Sequence, residues 1–469
     1  VTATLPGTAA HAGSSLEPLS SELPAVERRA ILPAGFAAGA TTAGIKASGR
    51  PDLGVVLVTT EVAAAAATFT PNAFAAAPVR LSQAHLDATV GTGDAGDGRH
   101  GWARAILSTS GCANAATGPA GDADQREVAE ALAATLGVPV EATLLLSTGV
   151  IGTRLPVDRV RRGLAELWAA GLEASEVGLE AVAVALMTTD SRMKLATVGL
   201  ALPGPGRADV PVRVTGIAKG VGMIHPRMAT MLAIVLTDAT VPPAILASLL
   251  RPAAARTWNQ LSVDGDTSTN DTVLVLASGA GGTAPVGEDG PEATALGRAL
   301  EAVARDLARQ QAADGEGATT LITCQVSGAA DDADARAVAR AVVSSSLVKA
   351  AAHGRDPNWG RVVGAAGNAR LADAPVLEAA GIPDADAKAR AGRPVDLDPD
   401  RLRVAIAGRL VFDGSVGGPV PFDRVATRAA MDAPELLIRL DLGLGAGSGE
   451  AFGCDLTEDY VIENAEYTT

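Results

Sequence analysis

The stretch GIAKGVGMIHPRMATMLAIVLTDA, residues 216–239, raises the question on which the reading of this chain turns. From Thr230 it reads as a buried strand, apolar through Leu236 and closed by Thr237 and Asp238. Ahead of it stand Gly216, Gly220 and Gly222, together with Lys219, His225 and Arg227. A strand entry built only for packing has no use for that set, whereas a catalytic hydroxyl does. To act as a nucleophile, Thr230 needs a base. A cut between Ala229 and Thr230 would give it a free α-amine, whose ordinary pKa of about 7.7–8.0 leaves part of it unprotonated near neutral pH. A threonine activated by its own amine is a known device. On PRMATML, residues 226–232, alone, an ordinary β-branched strand residue remains the simpler reading of Thr230.

Outward from this segment, β-branched runs bounded by Gly, Asp or Pro recur at LGVVLVTT, TLLLSTG, DTVLVLASG, TTLITCQVSG, LRVAIAG and ELLIRLDLG, as strands do. Apolar residues at i, i+3 and i+4 predict helices at DADQREVAEALAATLG, VDRVRRGLAELWAAG, ATALGRALEAVARDLARQQ and DADARAVARAVVSSSLVKAAA. An Asp of GDAD is the expected N-cap of the first. No strict βαβα rhythm is kept. The expected class is therefore α/β in the broad sense, α+β with mixed sheets, and not a doubly wound nucleotide fold. Residues 1–32 are polar and Pro/Ser-rich and read as a flexible N-terminal segment. Turn-rich stretches near 203–211, 279–293 and 368–400 read as surface loops or small additions.

The 469 residues suffice for a large core, and length alone suggests two or three domains. A net charge of −15 repels phosphate backbones, so nucleic acid and anionic membranes are poor partners and a small-molecule enzyme fits better. Apolar runs fall far short of the roughly 18 residues a membrane span needs. The opening VTATLPGTAAHAGSS shows no leader pattern. Cys112, Cys324 and Cys454 are widely spaced and read as reduced thiols of a cytoplasmic protein. The five histidines show no zinc spacing, and no metal is expected. Only five of the 38 basic residues are lysines, so Lys219 stands out.

Other motifs are weaker by themselves. AKGVGM lacks both phosphate-loop spacings. STGVIG, residues 147–152, reads first as a turn after a strand; its functional reading is an oxyanion hole made by the Gly149 N–H and the Thr148 hydroxyl. HGRDPNWGR, residues 353–361, is dense enough in charged and aromatic groups to be expected as a site-forming loop. VDGDTSTNDT, residues 263–272, lacks the EF-hand pattern and is expected to be an Asx or Ser/Thr turn before a strand.

Read together, PAGFAAGATTAGIK, SGCANAATG, LLSTGVIG, ALMTTDSRMK, GIAKGVGMIHPRMATML, VDGDTSTNDT, DGEGATTLI, SSLVKAAAHGRDPNWGR and CDLTEDYVIENAEYTT resemble the ornithine acetyltransferase (glutamate N-acetyltransferase) family, from about residue 33 to the C-terminus. Their order and number carry the resemblance, and no single stretch would. It implies an ornithine-acetyltransferase-like fold and an autoprocessed N-terminal-nucleophile enzyme. An α chain over 33–229 would be cut at Ala229–Thr230 from a β chain over 230–469 that begins at the nucleophile. The Thr230 hydroxyl would then carry acetyl from N2-acetylornithine to glutamate in a ping-pong cycle, a step of arginine biosynthesis. No cofactor is implied, with acetyl-CoA an alternative donor in bifunctional members. The α and β chains would pair as (αβ)2 or (αβ)4.

By the same resemblance, Thr148 and Gly149 form the oxyanion hole. Thr188, Lys219, Thr230, Glu316, Asn464 and Thr469 bind substrate, and Thr189 competes with Thr188 for its place. Lys219 suits a substrate carboxylate and Glu316 a substrate ammonium. His225 and Arg227, close to the scissile bond, are expected to end as solvated residues of the α-chain tail. The alternative function is a related acyltransferase or amidohydrolase of specialised metabolism, using the same threonine on another N-acyl amino acid.

Overall fold

The computed structural model describes residues 16, 17, 19, 23–91, 99–206, 208–225 and 231–465. Ala229, Thr230, Thr469 and Arg227 lie outside the described residues. Two mixed sheets make the body of the molecule. The first orders its strands as Phe36–Thr41, Leu53–Val58, Ala105–Cys112 and Thr143–Val150, the last pair parallel and the others antiparallel. The second runs His100–Ala103, Ala63–Phe69, Thr272–Ala277, Leu232–Thr237, Asp209–Lys219 and Lys194–Pro203. Only its central pair, 272–277 with 232–237, is parallel.

Period-two alternation explains how the sheets stack, because successive side chains leave a strand on opposite faces. Val56, Val58, Ile106, Leu144 and Leu146 of the first sheet share one core with Ala65, Ile217, Ile234, Leu236, Leu274 and Leu276 of the second. The alternate residues Leu53, Val55, Leu107 and Leu145 face outward onto Val128, Leu132, Val160 and Leu164, from the helices Gly118–Leu136 and Val157–Ala170. On the far side, Val214, Ala233, Val235, Val273 and Val275 pack on the helices Pro243–Arg256 and Pro291–Ala313. The result is helix–sheet–sheet–helix, a mixed α/β architecture. A third mixed sheet of seven strands, from Leu261–Ser262 to Gly418–Pro419, is packed by the helix Asp332–Ser344.

The strand Leu232–Thr237 pairs on one side with Asp209–Lys219 and on the other with Thr272–Ala277. Residues before 226 and after 230 therefore interleave in one sheet, and a cut between them would not separate two bodies.

Local expectations needed correction in several places. The first helix begins at Gly118, not at GDAD; Pro119 sits in its first turn, where its fixed φ suits a helix start, and Thr117 makes no side-chain cap. Asp124 instead forms a two-pronged pair with Arg154 at 2.7 and 2.6 Å. The helical run 332–352 breaks at Ser345, whose hydroxyl caps a second helix, Ser346–His353. The stretch 368–400 holds two short helices, Ala374–Ala379 and Asp384–Arg390. Within the supposedly flexible N-terminal segment, the described part is anchored. Glu27 exchanges backbone hydrogen bonds with Thr197, and Arg28 and Arg29 pair with Asp306 and Glu176 at 3.0 and 2.6 Å.

Candidate active site

The N-terminal end of the central strand opens onto a cavity of about 280 Å³. Thr148, Gly149, Thr188, Lys219, Glu316 and Asn464, all picked out in the sequence, line it. Met231, the residue bonded to Thr230, lines it too. These residues come from the end of the 143–150 strand, the turn after the Glu176–Leu186 helix, the end of the 209–219 strand, the turn after the 291–313 helix and the C-terminal helix Glu458–Ala465.

Gly149 has φ +128°, and a Cβ there would lie 2.3 Å from the Gly111 carbonyl carbon and 2.6 Å from the Cys112 nitrogen. The parallel pairing is irregular at this point, with Cys112 matched to both Thr148 and Val150. The turn is thus shaped by backbone against backbone, which flexible side chains cannot relieve. Gly149→Ala is expected to cost about 3 kcal/mol of stability and to lower activity with it. A denaturation midpoint equal to that of the parent would contradict this.

Lys219 is nearly buried. Its Nζ donates to Thr188 Oγ1 at 2.8 Å and to Thr148 Oγ1 at 3.3 Å. Burial pulls its pKa below the ordinary lysine value; Asp190 and Glu316 work against that, and Lys194 reinforces it. Glu316 accepts from Thr189 Oγ1 at 2.8 Å and from Asn464 Nδ2 at 2.9 Å. Gly222 leaves room for this carboxylate, since a Cβ there would lie 2.2 Å from Glu316 Oε2. Thr188 and Thr189 therefore divide the work: the first faces the lysine, the second the glutamate.

Sequence reading missed the groups that hold these in place. Lys194 Nζ lies 2.5 Å from both Asp190 and Asp314, all three side chains almost fully buried. Asp190 also accepts from the Thr188 and Gly220 backbone N–H groups at 3.1 and 2.8 Å, tying the Thr188 turn to the Lys219 strand. Burial alone would raise the Asp190 pKa, but Lys219, Lys194 and the Gly220 N–H outweigh it and hold the carboxylate ionised. The signal available was Asp190 and Lys194 in TTDSRMK. Asn270 was also missed: its Nδ2 donates to Ala113 O at 2.7 Å and Ser147 O at 2.9 Å, clamping the loops beside the cavity. Residues 263–266 do form the expected Asx turn, with Asp264 accepting from Ile224 N at 2.9 Å and Asp266 N at 3.1 Å.

Two site expectations are corrected. No residue of 353–361 lines the cavity. That segment joins two helices, with His353 on Asp455 at 3.1 Å and Asp356 on Arg424 at 3.0 Å. His225 is not a solvated tail residue. It is half-buried, its Nδ1 is 3.0 Å from Ser262 Oγ, and it lines a separate cavity of about 330 Å³ with Arg336 and Arg340. Among the described residues, no group of three His, Cys, Asp or Glu side chains is placed to hold a metal ion, and no helix is long and apolar enough to cross a membrane.

The ArgJ family model matches residues 37–469. The chain is 43% identical over 453 residues to the arginine biosynthesis bifunctional protein ArgJ of Synechocystis, covering 95% of this chain and 98% of that protein. It is 44% identical over 438 residues to the protein of the same name from Thermus thermophilus, covering 93% and 99%. Among solved structures, ornithine acetyltransferase of Mycobacterium tuberculosis complexed with ornithine is 37% identical, with 43% of this chain and 97% of that chain covered and a TM-score of 0.37. The extent and level of these matches over nearly the whole chain show that it belongs to the ArgJ family.

Proposed function

We propose that this chain moves an acetyl group from N2-acetylornithine to glutamate through an ester on Thr230, after cutting itself between Ala229 and Thr230. As a member of the ArgJ family it is an acetyltransferase of arginine biosynthesis. The observation that supports the finer reading is the cavity itself. It presents a cation at Lys219, an anion at Glu316 and an oxyanion-hole pair at Thr148 and Gly149, and its wall continues into the residue bonded to Thr230.

The chemistry follows from those parts. The Thr230 amine takes the proton of its own hydroxyl as the oxygen attacks the acetyl carbonyl. The Gly149 N–H and the Thr148 hydroxyl face the oxygen on which negative charge develops. Lys219 donates to Thr148 and so reinforces that donor. The C–N bond of the donor breaks and its nitrogen takes the proton, releasing ornithine. Glutamate then attacks the ester through its amine and leaves as N-acetylglutamate. Lys219 pairs with a substrate carboxylate, and Glu316 with a substrate ammonium. Thr469 joins the substrate-binding set by family resemblance. No cofactor takes part; we propose acetyl-CoA as a second donor, in line with the bifunctional relatives. The products of the cut stay together as an αβ unit that assembles further as (αβ)2 or (αβ)4. The three cysteines are free and buried, which suits the reducing cytoplasm.

The discriminating experiment follows ornithine release from N2-acetylornithine with and without glutamate. Glutamate should raise the rate well above hydrolysis. Equal rates with and without it would replace transfer by an amidohydrolase reading.

A further inference from the structure

We propose that Lys194 is a positioning residue that sets the length of donor the site accepts, by holding the cavity's cation and its anion at a fixed separation. The inference rests on the roles given above to Lys219 and Glu316. Three segments meet at Lys194. It opens the strand Lys194–Pro203 opposite Ala218, the residue before Lys219. Its Nζ lies 2.5 Å from Asp190 of the Thr188 turn. It lies equally close, 2.5 Å, to Asp314, which closes the Pro291–Ala313 helix two residues before Glu316.

Each carboxylate grips a segment that carries a substrate-binding group. Asp190 Oδ1, the oxygen facing Lys194, also accepts from the Gly220 N–H at 2.8 Å, and Oδ2 accepts from the Thr188 N–H at 3.1 Å. Lys219 is thus held from two sides, by the residue that follows it and by the Thr188 hydroxyl, 2.8 Å from its Nζ. On the other side, Asp314 accepts from the Ser191 N–H at 3.1 Å and from the Ser191 hydroxyl. Only Gly315 separates it from Glu316. A Cβ on Gly315 would lie 2.8 Å from Cys454 Sγ, so this turn has little slack in which a shift of Asp314 could be absorbed before it reached Glu316.

Two other ties join the halves. Thr189, which donates to Glu316, is exposed, and the Glu316 N–H bond to Val221 O at 2.8 Å fixes backbone and leaves the side chain free to swing. Lys194 is the tie shut away from water: its side chain and that of Asp190 are wholly buried, and that of Asp314 is 5% exposed. Buried ion clusters of this kind seldom add stability over apolar residues of the same size. What this one supplies is geometry, because a compact ammonium between two carboxylates in a water-free setting has one close-packed arrangement.

The donor spans the two charges. Lys219 takes its carboxylate and Glu316 the ammonium at its other end, so a rigid separation suits one number of methylenes between them, that of ornithine. A donor one methylene longer or shorter satisfies one charge and strains or misses the other.

The test compares kcat/KM for N2-acetylornithine with that for N2-acetyllysine, one methylene longer, and N2-acetyl-2,4-diaminobutyrate, one shorter. It is run on the parent enzyme, K194M and D314N, with unfolding midpoints measured alongside. The parent should favour acetylornithine roughly 10–200-fold, the usual discrimination over one methylene. K194M should cut that preference about tenfold. D314N should cut it in the same direction by a smaller factor; it keeps Lys194 on Asp190 and an oxygen for Ser191, and so decides the matter if K194M does not fold. A purely structural role would lower kcat/KM for all three donors by one common factor. Variants that keep the parent's preference would therefore overturn the proposal, as would a parent that shows no preference. The two levels separate in the parent: if it does not release ornithine from acetylornithine at all, the proposed function has failed and takes this inference with it.

Discussion

Thr230→Ala yields a single uncut chain with acetyl transfer reduced at least ~10⁴-fold, the scale on which covalent enzymes lose activity when the nucleophile is removed. Both effects come from one atom. The hydroxyl that attacks the Ala229 carbonyl is the one that later carries acetyl, so the two activities cannot be separated by this substitution. Thr230→Ser keeps the hydroxyl and should retain both. Strand packing predicts something different. The neighbouring strand residues Leu232, Ile234 and Leu236 are buried against the first sheet, and a threonine that served only that packing could become alanine with a modest loss of stability and no loss of chemistry. Gel analysis of the purified variant together with an ornithine-release assay checks the pair of effects. Normal transfer by the alanine variant contradicts the mechanism.

Lys219→Met is expected to lower kcat/KM about 10²-fold, since a buried hydrogen bond to a charged group contributes roughly 1.5–3 kcal/mol and each 1.36 kcal/mol is tenfold in rate. The loss should fall on both constants. KM rises because a substrate carboxylate loses its counter-ion. kcat falls because Thr148, 3.3 Å from Nζ, loses the donor that polarises its hydroxyl. The fold should survive. Asp190 would lose the nearby Lys219 charge that helps hold it ionised, but it would keep Lys194 at 2.5 Å and the Gly220 N–H at 2.8 Å. Steady-state kinetics on a variant with an unchanged unfolding midpoint makes the test clean. Unaltered kinetics would remove Lys219 from the site.

How much of this was legible in the sequence depends on range. The strands around Val56, Ile234 and Leu274 are short β-branched runs, and local pattern is enough to find them. The start of the 118–136 helix was misplaced because Asp was weighed as a cap where Pro119 already set the first turn. Thr148 and Lys219 stand out from the STGVIG turn and the scarcity of lysine, but Glu316 and Asn464, and the grouping of all four in one site, come only from family resemblance; spacing along the chain cannot bring together positions up to 316 residues apart. The groups missed were those whose role exists only after folding. Asp190 and Lys194 look like ordinary polar residues in TTDSRMK until Asp314 closes on them from the far end of a helix. Asn270 reads as a turn residue until folding brings the Ala113 and Ser147 carbonyls within reach of its side-chain amide. His353 to Arg361 erred in the opposite sense, because a dense polar segment also arises where two helices meet and need capping, as Asn358 does for the helix Trp359–Gly367.

The central claim is that Thr230 becomes a chain terminus, and the intact mass of the purified protein under denaturing conditions tests it most directly. The account predicts two fragments that meet at Ala229–Thr230, whose masses sum to that of the full chain plus one water. A single species at 46.8 kDa, from protein active in acetyl transfer, would contradict it.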